Sequence, residues 1–72
     1  MSDYHINIFY SEEDAAYVAD IPDLDACSAL GRTPEEALGE VEKAKELWLD
    51  AARTAGKPIP HPRYRPAIYQ AR

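Results

Sequence analysis

The segment 33–56, TPEEALGEVEKAKELWLDAARTAG, is the longest periodic stretch of the chain, and the residues on either side are too few to fold alone. It predicts one amphipathic helix. Thr33 and Glu36 have the T-x-x-E spacing of a capping box, and Pro34 falls where a missing amide costs nothing. Gly56 and then Pro58 supply the stop. On a helical wheel Ala37, Val41, Ala44, Trp48, Ala51, Ala52 and Ala55 share one face, with Leu38 on its flank. Glu35, Glu42, Lys43, Glu46, Asp50 and Arg53 take the opposite face, where Glu40/Lys43, Glu42/Lys45, Lys43/Glu46 and Asp50/Arg53 are spaced for ion pairs. Gly39 weakens the first turns by about 1 kcal/mol relative to Ala, a cost that tertiary packing is expected to offset.

Such an apolar face needs a sheet beneath it. In residues 4–10, Tyr4, Ile6, Ile8 and Tyr10 alternate with His5, Asn7 and Phe9, the period of a strand. A polar turn follows, extended structure resumes over 16–21, and Pro22 ends its pairing. A third short strand over 27–30 closes at Gly31. Three strands and then a helix predict an α+β fold: a small antiparallel three-stranded sheet (β-β-β-α) with one long helix, 34–55, packed on one face. A short edge strand over 64–69, interrupted by Pro66, and a Pro-rich basic tail over 57–72 complete a single domain, 1–72. The helix is roughly 33 Å long and the strands roughly 20 Å, so the end carrying Trp48, Ala51, Ala52 and Ala55 needs another cover. Either the tail folds back over it, or it forms a seam between subunits of a homo-dimer or homo-tetramer.

A chain of 72 residues supports only a small core, which association naturally supplements. Its 46% hydrophobic and 29% charged residues describe a soluble globular chain with no membrane segment, and the polar start MSDYH lacks a signal peptide's pattern. A cytoplasmic location is expected, and the single Cys27 agrees with a reducing compartment. The net charge of −5 conceals a segregation: 13 acidic and 3 basic residues up to Asp50, then 5 basic and none acidic. Phosphate binding needs concentrated Lys and Arg, so the acidic body disfavours nucleic acid and favours a basic protein partner. The tail residues Arg53, Lys57, Arg63, Arg65 and Arg72 are read as partners for the acidic surface of their own or a neighbouring chain.

The run Tyr17-Val18-Ala19-Asp20-Ile21-Pro22-Asp23-Leu24, then Cys27, then Gly31-Arg32-Thr33-Pro34-Glu35-Glu36-Ala37-Leu38 resembles the HicB-like antitoxin family, with its "YVA–PDLPGC–G-TxEEAL" signature. Glu46-Leu47-Trp48-Leu49 and Gly56-Lys57-Pro58-Ile59-Pro60 extend the likeness. The resemblance implies a partial ribonuclease H-like fold and oligomers. It also implies an antitoxin of a type II toxin-antitoxin system that binds and neutralises a small basic HicA-type, mRNA-degrading toxin. Two positions depart from the pattern: Asp25-Ala26 stands for Pro-Gly, and Ala15-Ala16 for glycines before the aromatic. Both turns must then be made with less permissive backbone. Only 16 residues follow Gly56, four of them proline, so no C-terminal DNA-binding module and no direct DNA binding are expected.

Two other functions are weighed against the toxin-binding one: an oligomeric relative without a toxin, and a metal-dependent nuclease using Asp20, Asp23 and Asp25. Solvated turn carboxylates are the simpler account of those three residues. His5, His61 and Cys27 lack metal-ligand spacing, and no base is placed to activate Cys27. No catalytic, metal or cofactor residue is assigned. Charge and expected exposure put the partner-binding surface on the hairpin and its turns, at Glu12, Glu13, Asp14, Asp20 and Asp23, and the oligomer seam at Trp48, Ala51, Ala52 and Ala55.

Overall fold

A computed structural model of the chain describes residues 3–66. Strands β1 (Asn7–Ser11), β2 (Ala16–Asp20) and β3 (Ser28–Gly31) form an antiparallel sheet in the order β1-β2-β3, and the helix α1 (Pro34–Thr54) follows. This is the α+β arrangement that the hydrophobic pattern predicts. β1 begins at Asn7 rather than at residue 4, for a reason visible in its neighbour. Asn7 pairs with Asp20, the last residue of β2; continuing this register would set His5 against Pro22, which has no amide to donate, while the Ile21 amide faces β3 and donates to the Cys27 carbonyl at 3.0 Å. Residues 64–66 are not in a strand, and the remainder of the expected edge strand lies outside the described residues.

The segment between β2 and β3 builds core rather than merely connecting. The Leu24 amide donates to the Ile21 carbonyl and the Cys27 amide to the Leu24 carbonyl, both at 3.1 Å. These successive turns drive Ile21, Leu24 and Cys27 inward, where they join Ala19, Ala37 and Val41 in one buried cluster. Tyr4, Ile6, Tyr17, Leu38 and Trp48 pack around its margin. Strand alternation sends Ile8, Ala19 and Ala29, which are in register, to the helix side. The opposite face carries Phe9, Val18 and Leu30, also in register.

The helix ends follow the expected chemistry with one displacement. The Thr33 hydroxyl accepts the Glu36 amide at 3.0 Å, but the Glu36 carboxylate accepts the Arg32 amide, at 3.3 Å, rather than that of Thr33. At the other end Gly56, with φ of +70°, closes a Schellman cap: its amide donates to the Arg53 carbonyl and that of Lys57 to Ala52. Of the expected ion pairs, Lys43–Glu40 (3.1 Å) and Arg53–Asp50 (3.0 Å) form, whereas Lys45 reaches Asp3 at 3.2 Å.

Three small residues stand where the backbone is turned sharply or packed closely. Ala15 and Ala26 have φ of 52° and 59°, the left-handed region that β-carbons disfavour, and both lie in the turns where the signature has glycine. Gly31 presses on the first turn of α1 so closely that an added β-carbon would stand 2.4 Å from the Ala37 amide nitrogen. Gly39, by contrast, faces open space, so a β-carbon there would meet no neighbouring element. In denaturant titrations Gly31→Ala should destabilise by about 1–3 kcal/mol and Gly39→Ala should stabilise by about 1 kcal/mol. Ala15→Gly and Ala26→Gly should each stabilise, by about 1 kcal/mol or less, because strain relief exceeds the added unfolded-state entropy.

Candidate functional site

The five carboxylates expected to form one surface are divided between the two ends of β2. Glu12, Glu13 and Asp14 occupy the β1–β2 turn and are exposed. The Ser11 hydroxyl donates to Asp14 at 2.9 Å and accepts the Asp14 amide at 3.2 Å, which fixes the turn. Because Gly31 pairs with Tyr17, β3 delivers the first turn of α1, with Glu35 and Glu36, to this same end. The hairpin end is therefore an acidic pole, with two carboxylates from the helix that the turn alone does not suggest and with the exposed Arg32 as a cation beside them.

Asp20 and Asp23 stand at the opposite end, beside Asp25. Asp20 is half-buried at the close of β2. The Asp23 carboxylate accepts the backbone amides of Arg63 and Tyr64, each at 3.1 Å. Asp25 is exposed, and its carbonyl accepts the indole N–H of Trp48 at 2.9 Å. Among the described residues no three His, Cys, Asp or Glu side chains are grouped to hold a metal ion. The triad Asp20, Asp23 and Asp25 is thus adjacent in sequence but engaged in different tasks.

After Gly56 the tail folds back against Tyr4 and Asp23 and leaves the end of α1 only partly covered. The Tyr4 hydroxyl donates to the Pro60 carbonyl, and the His5 and Tyr64 rings lie 4.8 Å apart. Between tail and helix runs an open groove of about 610 Å³ whose lining includes Trp48, Ala51, Ala55, Asp25 and Pro58. Trp48 is half-buried and Ala52 buried within their own chain, while Ala51 and Ala55 stay exposed. The acidic surface does meet the tail residues: Asp23 accepts the backbone amides of Arg63 and Tyr64, and the Arg53 guanidinium pairs with Asp50 at 3.0 Å; Arg72 lies outside the described residues. Tyr4 and Asp23 as tail anchors escape a reading of the sequence, because neither sits in a periodic segment with the residues it holds.

Burial pushes the Cys27 thiol above its ordinary pKa, which keeps it protonated and suits a core residue rather than a nucleophile. The Tyr4 amide, and then Lys45, hold the Asp3 carboxyl below its usual range. A depressed pKa stabilises the fold above the unfolded value, and that contribution fades as pH falls through the folded one.

What these side chains present is surface: an acidic pole at the hairpin, a strapped groove at the other end and apolar residues on the free face of a small α+β unit. A family described as the HicB-like antitoxin of bacterial toxin-antitoxin systems matches residues 4–70, and the chain belongs to that family. A UPF0150 protein of Synechocystis sp. is 40% identical over 53 residues, which cover 74% of this chain and 73% of the relative. A UPF0150 protein of Thermoplasma acidophilum is 30% identical over 53 residues, 74% of this chain and 77% of that protein. No solved structure matches the chain. No helix among the described residues is long and apolar enough to cross a membrane.

The Asp23 clamp is open to a direct check. Prolines follow Lys57 and Arg65, so Arg63–Tyr64 is the bond in the described tail that trypsin can cut. Asp23→Ala should accelerate cleavage there severalfold in limited proteolysis, while Asp25→Ala, which leaves the carbonyl bound by Trp48 in place, should not.

Proposed function

We propose that this chain is a protein-binding antitoxin module, not an enzyme, and that it neutralises a small basic HicA-type toxin by covering it with an acidic surface. Family membership supports the antitoxin role. The observation that carries the choice of surface is the acidic pole, where Glu12, Glu13 and Asp14 of the hairpin turn join Glu35 and Glu36 of α1. Carboxylates concentrated on exposed, well-supported elements steer a cationic protein toward the site and set its orientation. Asp20 and Asp23 take a lesser part in this reading, since Asp20 is half-buried and Asp23 is committed to the tail. An acidic surface also repels RNA, so masking a toxin fits the charge better than cleaving a phosphodiester does.

Association with a basic toxin should be fast at low ionic strength and slow strongly as salt screens the charges, and Glu12→Lys with Glu13→Lys should cut the on-rate about tenfold or more. Stopped-flow binding measures both, and a rate indifferent to salt would remove the electrostatic basis of the proposal. In a separate assay with magnesium, the purified protein should cleave neither RNA nor an RNA–DNA hybrid. Activity abolished by Asp20→Asn would instead favour the nuclease.

A further inference from the structure

At the end of the molecule away from the acidic pole, an open groove of about 610 Å³ runs between the last turns of α1, the strap after Gly56 and the turn that joins β2 to β3. Trp48 forms part of its wall. The indole N–H is held at 2.9 Å by the Asp25 carbonyl, which fixes the ring next to the residue whose carboxylate also borders the groove. Ala51 and Ala55, both exposed, keep the helix wall low. The volume is that of a ligand site, roughly 300–1,000 Å³, and as in such sites apolar walls are joined to a few polar groups.

Charge decides what the groove can hold. Its ionisable residues are Asp23, Asp25 and Lys57. Asp23 already accepts the amides of Arg63 and Tyr64, whereas the exposed Asp25 carboxylate has no hydrogen-bond or ion-pair partner among the described residues. Lys57 is exposed and pairs with neither aspartate. Of the nearby guanidinium groups, that of Arg53 is engaged by Asp50, and Arg63 lines a separate hollow with Pro22 and His61. The C-terminal turn of α1 adds its partial negative charge to this end. Two carboxylates and a helix C-terminus against one ammonium favour a cation, and Trp48 narrows the choice. A guanidinium is planar, stacks on an indole and pairs through two N–H groups with one carboxylate, while its aliphatic stem packs on apolar surface. An ammonium is a point charge without a flat face.

We propose that this groove binds an arginine side chain carried by an extended segment of a protein partner. The guanidinium lies between the Trp48 ring and the Asp25 carboxylate, and the stem runs along Ala51 and Pro58. An open groove suits a side chain entering from a passing chain better than it suits an enclosed small molecule. The site lies opposite the acidic pole and does not depend on toxin neutralisation there, so either reading can fail without the other.

Trp48 is the only tryptophan of the chain, so its fluorescence reports on the groove in the intact protein. Titration with a capped Gly-Arg-Gly tripeptide should change the emission saturably, with a Kd on the order of 1 mM. The citrulline analogue, equal in shape but uncharged, should bind about tenfold more weakly or worse. Asp25→Asn should weaken binding of the arginine peptide about tenfold, since it leaves the carbonyl bound by Trp48 in place and removes the carboxylate. Glu42→Gln, which removes the same charge from an exposed position on α1, should leave binding unchanged. Ala51→Met, which fills the groove without altering charge, should abolish it, and far-UV circular dichroism checks that each variant is folded. An emission indifferent to millimolar arginine peptide overturns the proposal, as would follow if the chain's own C-terminal residues filled the groove. Equal affinity for the citrulline peptide overturns it too, as does equal weakening by Asp25→Asn and Glu42→Gln, which would reduce the effect to net charge.

Discussion

The close approach of Gly31 to the backbone of Ala37 sets the position of α1, and much of the molecule follows from that contact. Pinned at the end of β3, the helix lies over β3 and β2 and reaches β1 only at its margin. Ala19 and Ala29 suit this placement, since small side chains let the helix descend onto the sheet until Ala37 and Val41 are buried. Ile8 and Tyr10, on the same side but beyond the helix, remain 37% and 53% exposed. The sheet is thus covered asymmetrically, and its unsatisfied apolar surface collects on β1 and on the outer face.

The same pin organises the charges. It brings the first turn of α1 to the hairpin end, where the carboxylates of two elements add, and sends the last turn toward Asp23 and Asp25. There the chain meets its own tail. An acidic body and a basic tail therefore become two poles of one small molecule rather than two halves of a sequence. Family membership supports an antitoxin-like role; the geometry adds that Glu12, Glu13, Asp14, Glu35 and Glu36 gather at the hairpin end, while Asp20, Asp23 and Asp25 stand at the end where the tail is strapped.

The helix was legible because its period, capping residues and stop are all local signals within 33–56. The strands were legible by alternation, which also assigned Phe9 to the face opposite Ile8 and Tyr10. Other features depend on contacts between residues distant in the chain. Nothing near Asp23 announces that it will hold amides forty residues later, and nothing near Lys45 shows that Asp3 outcompetes Glu42 for it. The candidate acidic surface came apart for the same reason: Glu12 and Asp23 are close in sequence, but β2 runs between them and carries them to opposite ends. The turns at Ala15 and Ala26 were legible as anomalies, and both adopt the backbone conformation that glycine would adopt freely.

The Asp23 clamp grips main chain, and this has a consequence for how freely the tail can vary. A guanidinium–carboxylate latch would be tied to one side chain, whereas two amides are offered by almost any pair of residues except proline. Positions 63 and 64 therefore keep their seat on Asp23 whatever side chains they carry, so far as this contact is concerned. Position 63 can change its outward character, from basic to neutral or aromatic, without losing the hold of Asp23 on its amide. A segment held in this way is a place where a small binding protein can acquire new recognition chemistry while its fold stays still.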